Sequence, residues 1–296
     1  MTLDDTQLIQ LSKEGFIAGP DEDEESFLKR VDYCKNLKNH LFDEFGNELA
    51  PLRSEEEDQE AFLEESFSLT EPLFDVKPDW VPLFFSNYKL LPWHGGCAWI
   101  FQKEETTPWA SLLQLRKEFR KKKSLLGLYK REELIAHELA HTCRMTFNEP
   151  LFEEIIAYQC QGRSWQRWLG PLIQKRIEAV LFVLLLLTLF FIDFALLASG
   201  QLEIFQSFQW LKIFPALLLT YALFRLYNKR RLFHSLKEKL TQLFNSQIAQ
   251  AILFRLTDNE IIHLSKQTPE DILHFAEKQK ETSPRWRQLY AYIRQS

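Results

Sequence analysis

The alternation of apolar and polar positions changes period several times along the chain, and each change predicts a different kind of element. Residues 1 to about 66 carry apolar side chains at helical spacing, clearest in FLKRVDYCKNLKNHLF (27–42), with Gly19 and Pro20 punctuating the chain before it. Over residues 69–102 the rhythm shifts. Pro72, Pro78, Pro82 and Pro92 argue against a long helix, while DWVPLFFSNYKLL and CAWIFQ are rich in aromatic and β-favouring residues. A small sheet is expected there, with a turn at 94–96. Helical spacing returns from Pro108 to Gln161 and predicts helices at about 109–122, 130–146 and 150–162.

The pattern then loses its polar face. AVLFVLLLLTLFFIDFALLA (179–198) holds one charge, Asp193, in twenty residues. A helix of that length spans about 30 Å, the thickness of a bilayer core. WLKIFPALLLTYALFRLY (210–227) is a second candidate, with Lys212 and Arg225 near its ends and Trp210 and Tyr227 where interfacial aromatics are expected. The short connection makes the two a hairpin. Arg163, Arg167, Lys175 and Arg176 precede it and Lys229, Arg230 and Arg231 follow it, so the N- and C-terminal parts are both expected to be cytoplasmic. Asp193 lies near the loop end of its span and reads as a residue reaching the far interface.

Beyond the hairpin, LFHSLKEKLTQLFNSQIAQAILFRL (232–256) predicts one long amphipathic helix. TPEDIL and SPRWRQLYAYI each open with a capping hydroxyl and a proline at the first helical position. The fold class is mainly α with a small β-sheet: a soluble α+β domain, a two-helix transmembrane hairpin and a helical cytoplasmic tail. The expected divisions are an acidic helical region (1–68), the α+β domain (69–172), the hairpin (173–228) and the tail (229–296).

Charge and cysteine content narrow the classes further. A net charge of −5 gives no global reason to expect nucleic acid as a partner. Acidic runs such as DEDEE (21–25) and SEEEDQE (54–60) read as a solvated helical surface or a partly disordered arm, with an acidic docking surface as the lesser alternative. Cys34, Cys97, Cys143 and Cys160 are scattered without a C-x-x-C pair, which suits a reducing compartment. The first ten residues have neither the basic nor the apolar segment of a signal peptide.

One stretch carries chemistry. ELIAHELAHTCRM (133–145) contains H-E-x-x-H: His137, Glu138 and His141. Positions four apart share a helix face, so both imidazoles can reach one ion at about 2.0–2.1 Å. Glu138 projects beside that face, where a base for a metal-activated water belongs. Ile135, Ala136, Leu139, Ala140 and Cys143 form the opposite face, expected to bury against the sheet. A catalytic zinc takes three protein ligands and keeps a position for water. FNEPLFEEIIAYQ (147–159) offers Glu153 and Glu154 on a helix opened by Pro150, and Glu149 before it.

H-E-x-x-H followed by a glutamate on a second helix resembles the gluzincin metallopeptidases. The resemblance implies a zincin-like domain over roughly residues 75–162, a bound Zn2+ and a protein or peptide substrate. In several such families a small residue follows the ligand glutamate by three positions. Ala157 follows Glu154 in that way, so Glu154 is the expected third ligand, with Glu153 next and Glu149 a distant third. The interval from His141 to that glutamate is shorter than in the best-known peptidases of this type. The resemblance also implies that CAWIF is an edge strand that pairs with substrate backbone. Tyr158, four residues after Glu154, is placed to stabilise a developing oxyanion or to serve as a core tyrosine, and Arg144 to orient a glutamate, clamp a substrate carboxylate or join a solvent-exposed surface pair. His94 could reach the site from the sheet, although a turn residue is the simpler reading. KREE and RMTFNEP flank the motif helix with polar residues, which keeps it outside the membrane. The expectation is a membrane-anchored zinc metallopeptidase acting on cytosolic or membrane-proximal proteins. The alternative is a non-catalytic membrane-hairpin adaptor with a degenerate zincin domain.

Overall fold

The computed structural model describes residues 3–49, 59–91, 94–125, 127–173 and 176–295. The acidic stretch up to Asp58, and Pro92 within the expected sheet region, lie outside them. Three helices come first: α1 (Asp5–Lys13), α2 (Glu24–Leu49) and α3 (Gln59–Phe74). Asp4 starts α1 with a capping box shared with Gln7. Contrary to the expectation from its prolines, the chain is still helical at Pro72. Pro72 sits in the last turn of α3, where its missing N–H removes one bond and the helix ends two residues later.

The sheet is small and mixed. Strands β1 (Leu83–Phe85), β2 (Gly96–Phe101) and β3 (Ala110–Leu115) lie in the order β1-β3-β2, with β1 parallel and β2 antiparallel to β3. β3 corrects the helix expected at 109–122. ASLLQL is buried at every position, and an all-buried central strand shows no alternation to separate it from a buried helix. Only Lys117–Arg120 keeps a helical turn, of 3-10 type. A two-stranded ribbon, β4 (Ser124–Leu125) and β5 (Tyr129–Lys130), then leads directly into α4 (Arg131–Cys143), which carries the H-E-x-x-H motif.

The next helix is shorter than expected. Pro150 lies in a turn, and α5 (Glu153–Ala157) runs into a 3-10 turn at Tyr158–Cys160. Then come α6 (Ser164–Leu169), α7 (Arg176–Ala198) and α8 (Leu202–Phe208). The second apolar stretch belongs to α9 (Ile213–Leu243), a single 31-residue helix that continues into the tail. Both stretches are long and apolar enough to cross a membrane, and their most apolar windows are unburied, unlike a core helix. Asp193 pairs with Lys212 at one end of the hairpin (2.8 Å), and Arg225 with Glu178 at the other (2.8 Å).

The single tail helix expected at 232–256 is broken at Phe244 and Asn245. Asn245 caps a new helix, α10 (Ser246–Arg255), by accepting from Ile248 N–H. Helices α11 (Asp258–Leu264), α12 (Pro269–Gln279) and α13 (Pro284–Gln295) complete the chain. Thr268 caps α12 and Ser283 accepts from Trp286 N–H, as their positions before proline predict.

Two cores meet at α4. On one side Leu134, Ile135 and Leu139 pack with the sheet and with α2 and α3. On the other, Ala136, Ala140 and Cys143 pack with α5 and the tail helices rather than against the sheet as expected. Of the thirteen residues of α4, eleven are buried. The tail is thus part of the same body. Fully buried Arg255 donates to Ser12 Oγ (2.8 Å) and to the Phe74 carbonyl (2.8 Å). Gln288 of α13 accepts from Ala18 N–H and donates to the Leu8 and Phe16 carbonyls.

Candidate metal centre

Three donor atoms converge between α4 and α5. His137 Nε2 and His141 Nε2 lie 3.2 Å apart, and the Glu154 carboxylate is 3.6 Å from the first and 3.7 Å from the second. A tetrahedral ion at 2.0–2.1 Å from each ligand would set such atoms about 3.3–3.4 Å apart, so the group fits zinc with little adjustment. Among the described residues, no other donor approaches the Glu154 carboxylate.

Glu153 does different work from its neighbour. One of its oxygens is 3.1 Å from His141 Nδ1, and the other accepts from Arg144 Nε at 2.7 Å. A carboxylate on Nδ1 keeps the proton there and leaves Nε2 free to face an ion. Burial would raise the Glu153 carboxyl, but the charge of Arg144 and the His141 hydrogen bond outweigh it and hold it below its ordinary value. Burial would likewise lower His141. The Glu153 hydrogen bond and the charges of Glu154, Glu153 and Glu138 prevail and raise it to about 9 in the metal-free site. His137 is pushed the other way, by burial and by His141. Its Nδ1 is buried with no close hydrogen bond, although the Ala157 carbonyl favours a proton on the ring.

Arg144 is 2% exposed and turned inward. Beyond Glu153, it donates to the carbonyls of Phe254 (2.5 Å) and Leu256 (3.1 Å) in the tail. Of its two expected roles, orienting a glutamate is the one the geometry allows. Burial rules out the substrate clamp. Glu149 is also engaged elsewhere. It accepts from Asp258 N–H (2.6 Å), while the Asp258 carboxylate accepts from Leu151 and Phe152 N–H just before α5. Asp258 and the two tail carbonyls had no signal in the sequence, since they lie more than a hundred residues from the groups they hold.

Glu138 borders the donor cluster. Its Oε2 accepts from Ala98 N–H at 2.8 Å, so the strand expected at CAWIF is an edge strand with one of its N–H groups held by the motif glutamate. Burial raises the Glu138 carboxyl. Tyr158 stands edge-on to His137, ring centroids 4.7 Å apart. Burial and the charge of Glu154 push its hydroxyl upward, which keeps it protonated as a donor. The ring is held by close contact with Gly170, where an added Cβ would meet Tyr158 Cε1 at 2.0 Å.

A cavity of about 540 Å³ joins these groups. His137, Glu138, Glu154 and Tyr158 line it together with His94, Gly95 and Gly96. Its lining also includes Leu128, Trp165 and Ile173, and Ala179 and Val180 on α7. No described residue before His94 lines it. A hollow of about 620 Å³ near α1 holds no such convergence, and its lysines are paired: Lys13 with Asp75, Lys35 with Glu14, Lys77 with Glu71. No family model, no curated protein and no solved structure matches the chain.

Proposed function

We propose that the chain is a membrane-anchored, zinc-dependent metallopeptidase, with α7 and the first part of α9 as the anchor and both flanking parts on the cytoplasmic side. The observation that carries this reading is the convergence of His137, His141 and Glu154 on one point, with Glu138 beside it in an open cleft. Zinc held there would supply a Lewis acid and lower the pKa of a water to near neutrality. The residues do the rest. Glu138, its carboxyl raised by burial, accepts the proton of the attacking water and passes it to the leaving amine. Tyr158 donates toward the carbonyl oxygen as negative charge builds on it. Arg144 touches none of the reacting atoms; through Glu153 it sets the orientation of His141. Because the cleft continues onto α7, membrane-proximal proteins suit it better than freely soluble ones.

The test uses the full chain in detergent, because the tail supplies acceptors for Arg144. Elemental analysis should find near-stoichiometric zinc in the parent and a sharp loss in His141→Ala and Glu154→Gln. Zinc kept by Glu154→Gln but lost by Glu153→Gln would leave the class standing and move the third ligand. A folded parent that takes up no zinc even when it is added back would sink the peptidase reading. It would leave the adaptor, whose hairpin needs no metal.

A further inference from the structure

We infer that the chain carries a second site, for the phosphate of an anionic lipid headgroup, in the groove between α6 and α9. The inference rests on the membrane reading of the hairpin but not on the peptidase reading. The groove encloses about 380 Å³, and its lining includes Trp168 of α6 with Tyr227, Arg230, Arg231, His234 and Glu238 of α9. These α9 positions recur at three and four, so one helix face presents them, beginning where the apolar stretch ends.

Basic residues flanking a span need only be numerous to orient it, and they ordinarily stay in water. Arg230 does not. It is 8% exposed, and among the described residues no carboxylate pairs with it. One terminal nitrogen donates to the Arg167 carbonyl, and the guanidinium lies 5.9 Å from the Trp168 ring centroid. Its Nε is buried with no hydrogen-bond partner. A guanidinium removed from water calls for a negative oxygen, and among the described residues no carboxylate supplies one here. Arg231, exposed, lines the same groove, and Arg167, exposed on α6, immediately precedes Trp168; neither has a carboxylate partner among the described residues. The one acid of the lining, Glu238, lies seven residues beyond Arg231, about 10 Å along the helix and away from the apolar stretch.

A phosphate diester matches this arrangement, since guanidinium groups bind its oxygens through charge-assisted hydrogen bonds. Trp168 and Tyr227, 47% and 57% exposed, carry the amphipathic rings that favour headgroup depth. Free phosphate offers the same oxygens. The lipid is favoured because Phe224, 63% exposed and three residues before Tyr227 on α9, leads from the groove into the apolar stretch that would lie among acyl chains.

The full chain, purified and delipidated in neutral detergent, is offered phosphatidylglycerol or phosphatidylcholine of equal chain length. Native mass spectrometry counts the lipid retained, and thermal unfolding reports stabilisation. Phosphatidylglycerol should be retained at concentrations about tenfold lower than phosphatidylcholine, one molecule per chain, with a raised unfolding midpoint. Arg230→Gln should abolish the preference. Because that residue is buried and its variant could fail to fold, the exposed pair Arg167→Gln/Arg231→Gln carries the decision and should lose most of it. Equal retention of both lipids, or a preference that survives in the double variant, overturns the proposal. Inorganic phosphate at millimolar concentration that displaces the lipid and protects equally well would assign the groove to free phosphate and also overturn it. Zinc content measured on the same samples separates this outcome from that of the metal centre, since the lipid should be lost while zinc is unchanged.

Discussion

Glu153 and Glu154 are adjacent and chemically identical, yet their surroundings divide the work between them. Glu154 faces two imidazole Nε2 atoms, and Glu153 bridges His141 Nδ1 to Arg144. Glu153→Gln should therefore weaken zinc binding by about 10–100-fold without abolishing it, as a chelator competition would show. Glu138→Gln should keep zinc at the parental level and lower peptide turnover by about 10²–10⁴-fold. The raised His141 pKa sets a pH dependence. At pH values below about 9 the metal-free ring holds a proton that must leave before an ion binds. Apparent zinc affinity should therefore climb by up to about tenfold per pH unit and level off only near pH 9, where an ordinary histidine would level off near 6.5. Chelator titrations between pH 6 and 9 measure this. In Glu153→Gln the plateau should move to lower pH. The clustering of His137 and His141 was legible in the sequence because a four-residue spacing is local helix geometry, and Glu154 was added to them through the family resemblance. The tail partners of Arg144 were not legible, because a backbone carbonyl has no identity that a sequence can show.

At the scale of elements, the helix carrying the motif was readable and the strand beside it was not. α4 announces itself through ELIAHELAH, whose two faces differ. β3 is buried on all sides, and its uniform run could be read in either period. The turn before α5 was misread for a related reason. Pro150 suits a first helical position, but it lies in a turn and the helix begins only at Glu153, with the N–H groups of Leu151 and Phe152 donating to Asp258. α6 and the 3-10 turn that follows it make a testable contribution through Gly170. Gly170→Ala should displace the Tyr158 ring from His137 and cost about 1–3 kcal/mol in stability. Turnover should fall toward that of Tyr158→Phe, about 10²–10³-fold down, while zinc stays bound. Parallel zinc and activity assays on both variants check this.

The whole molecule is more closely knit than a reading of separate domains suggests. The tail helices share a core with α4 and α5, and α13 is hydrogen-bonded to the segment after α1. A chain ended after residue 228 should lose zinc and solubility together, because Arg144 would keep its buried charge while losing the carbonyls of Phe254 and Leu256. Gel filtration in detergent with zinc analysis would detect this, and a truncated chain that kept full zinc would contradict it. This dependence was hidden in the sequence, where amphipathic tail helices look self-sufficient. α9 adds one more consequence. It leaves the apolar stretch at Tyr227 and continues unbroken to Leu243, a rod of about 24 Å seated in the core next to the candidate metal centre. On the proposed reading, such a rod works as a depth gauge. Cuts in an anchored substrate should fall at a constant number of residues from its own membrane anchor, whatever the local sequence, and lengthening that spacer should move the cut with it.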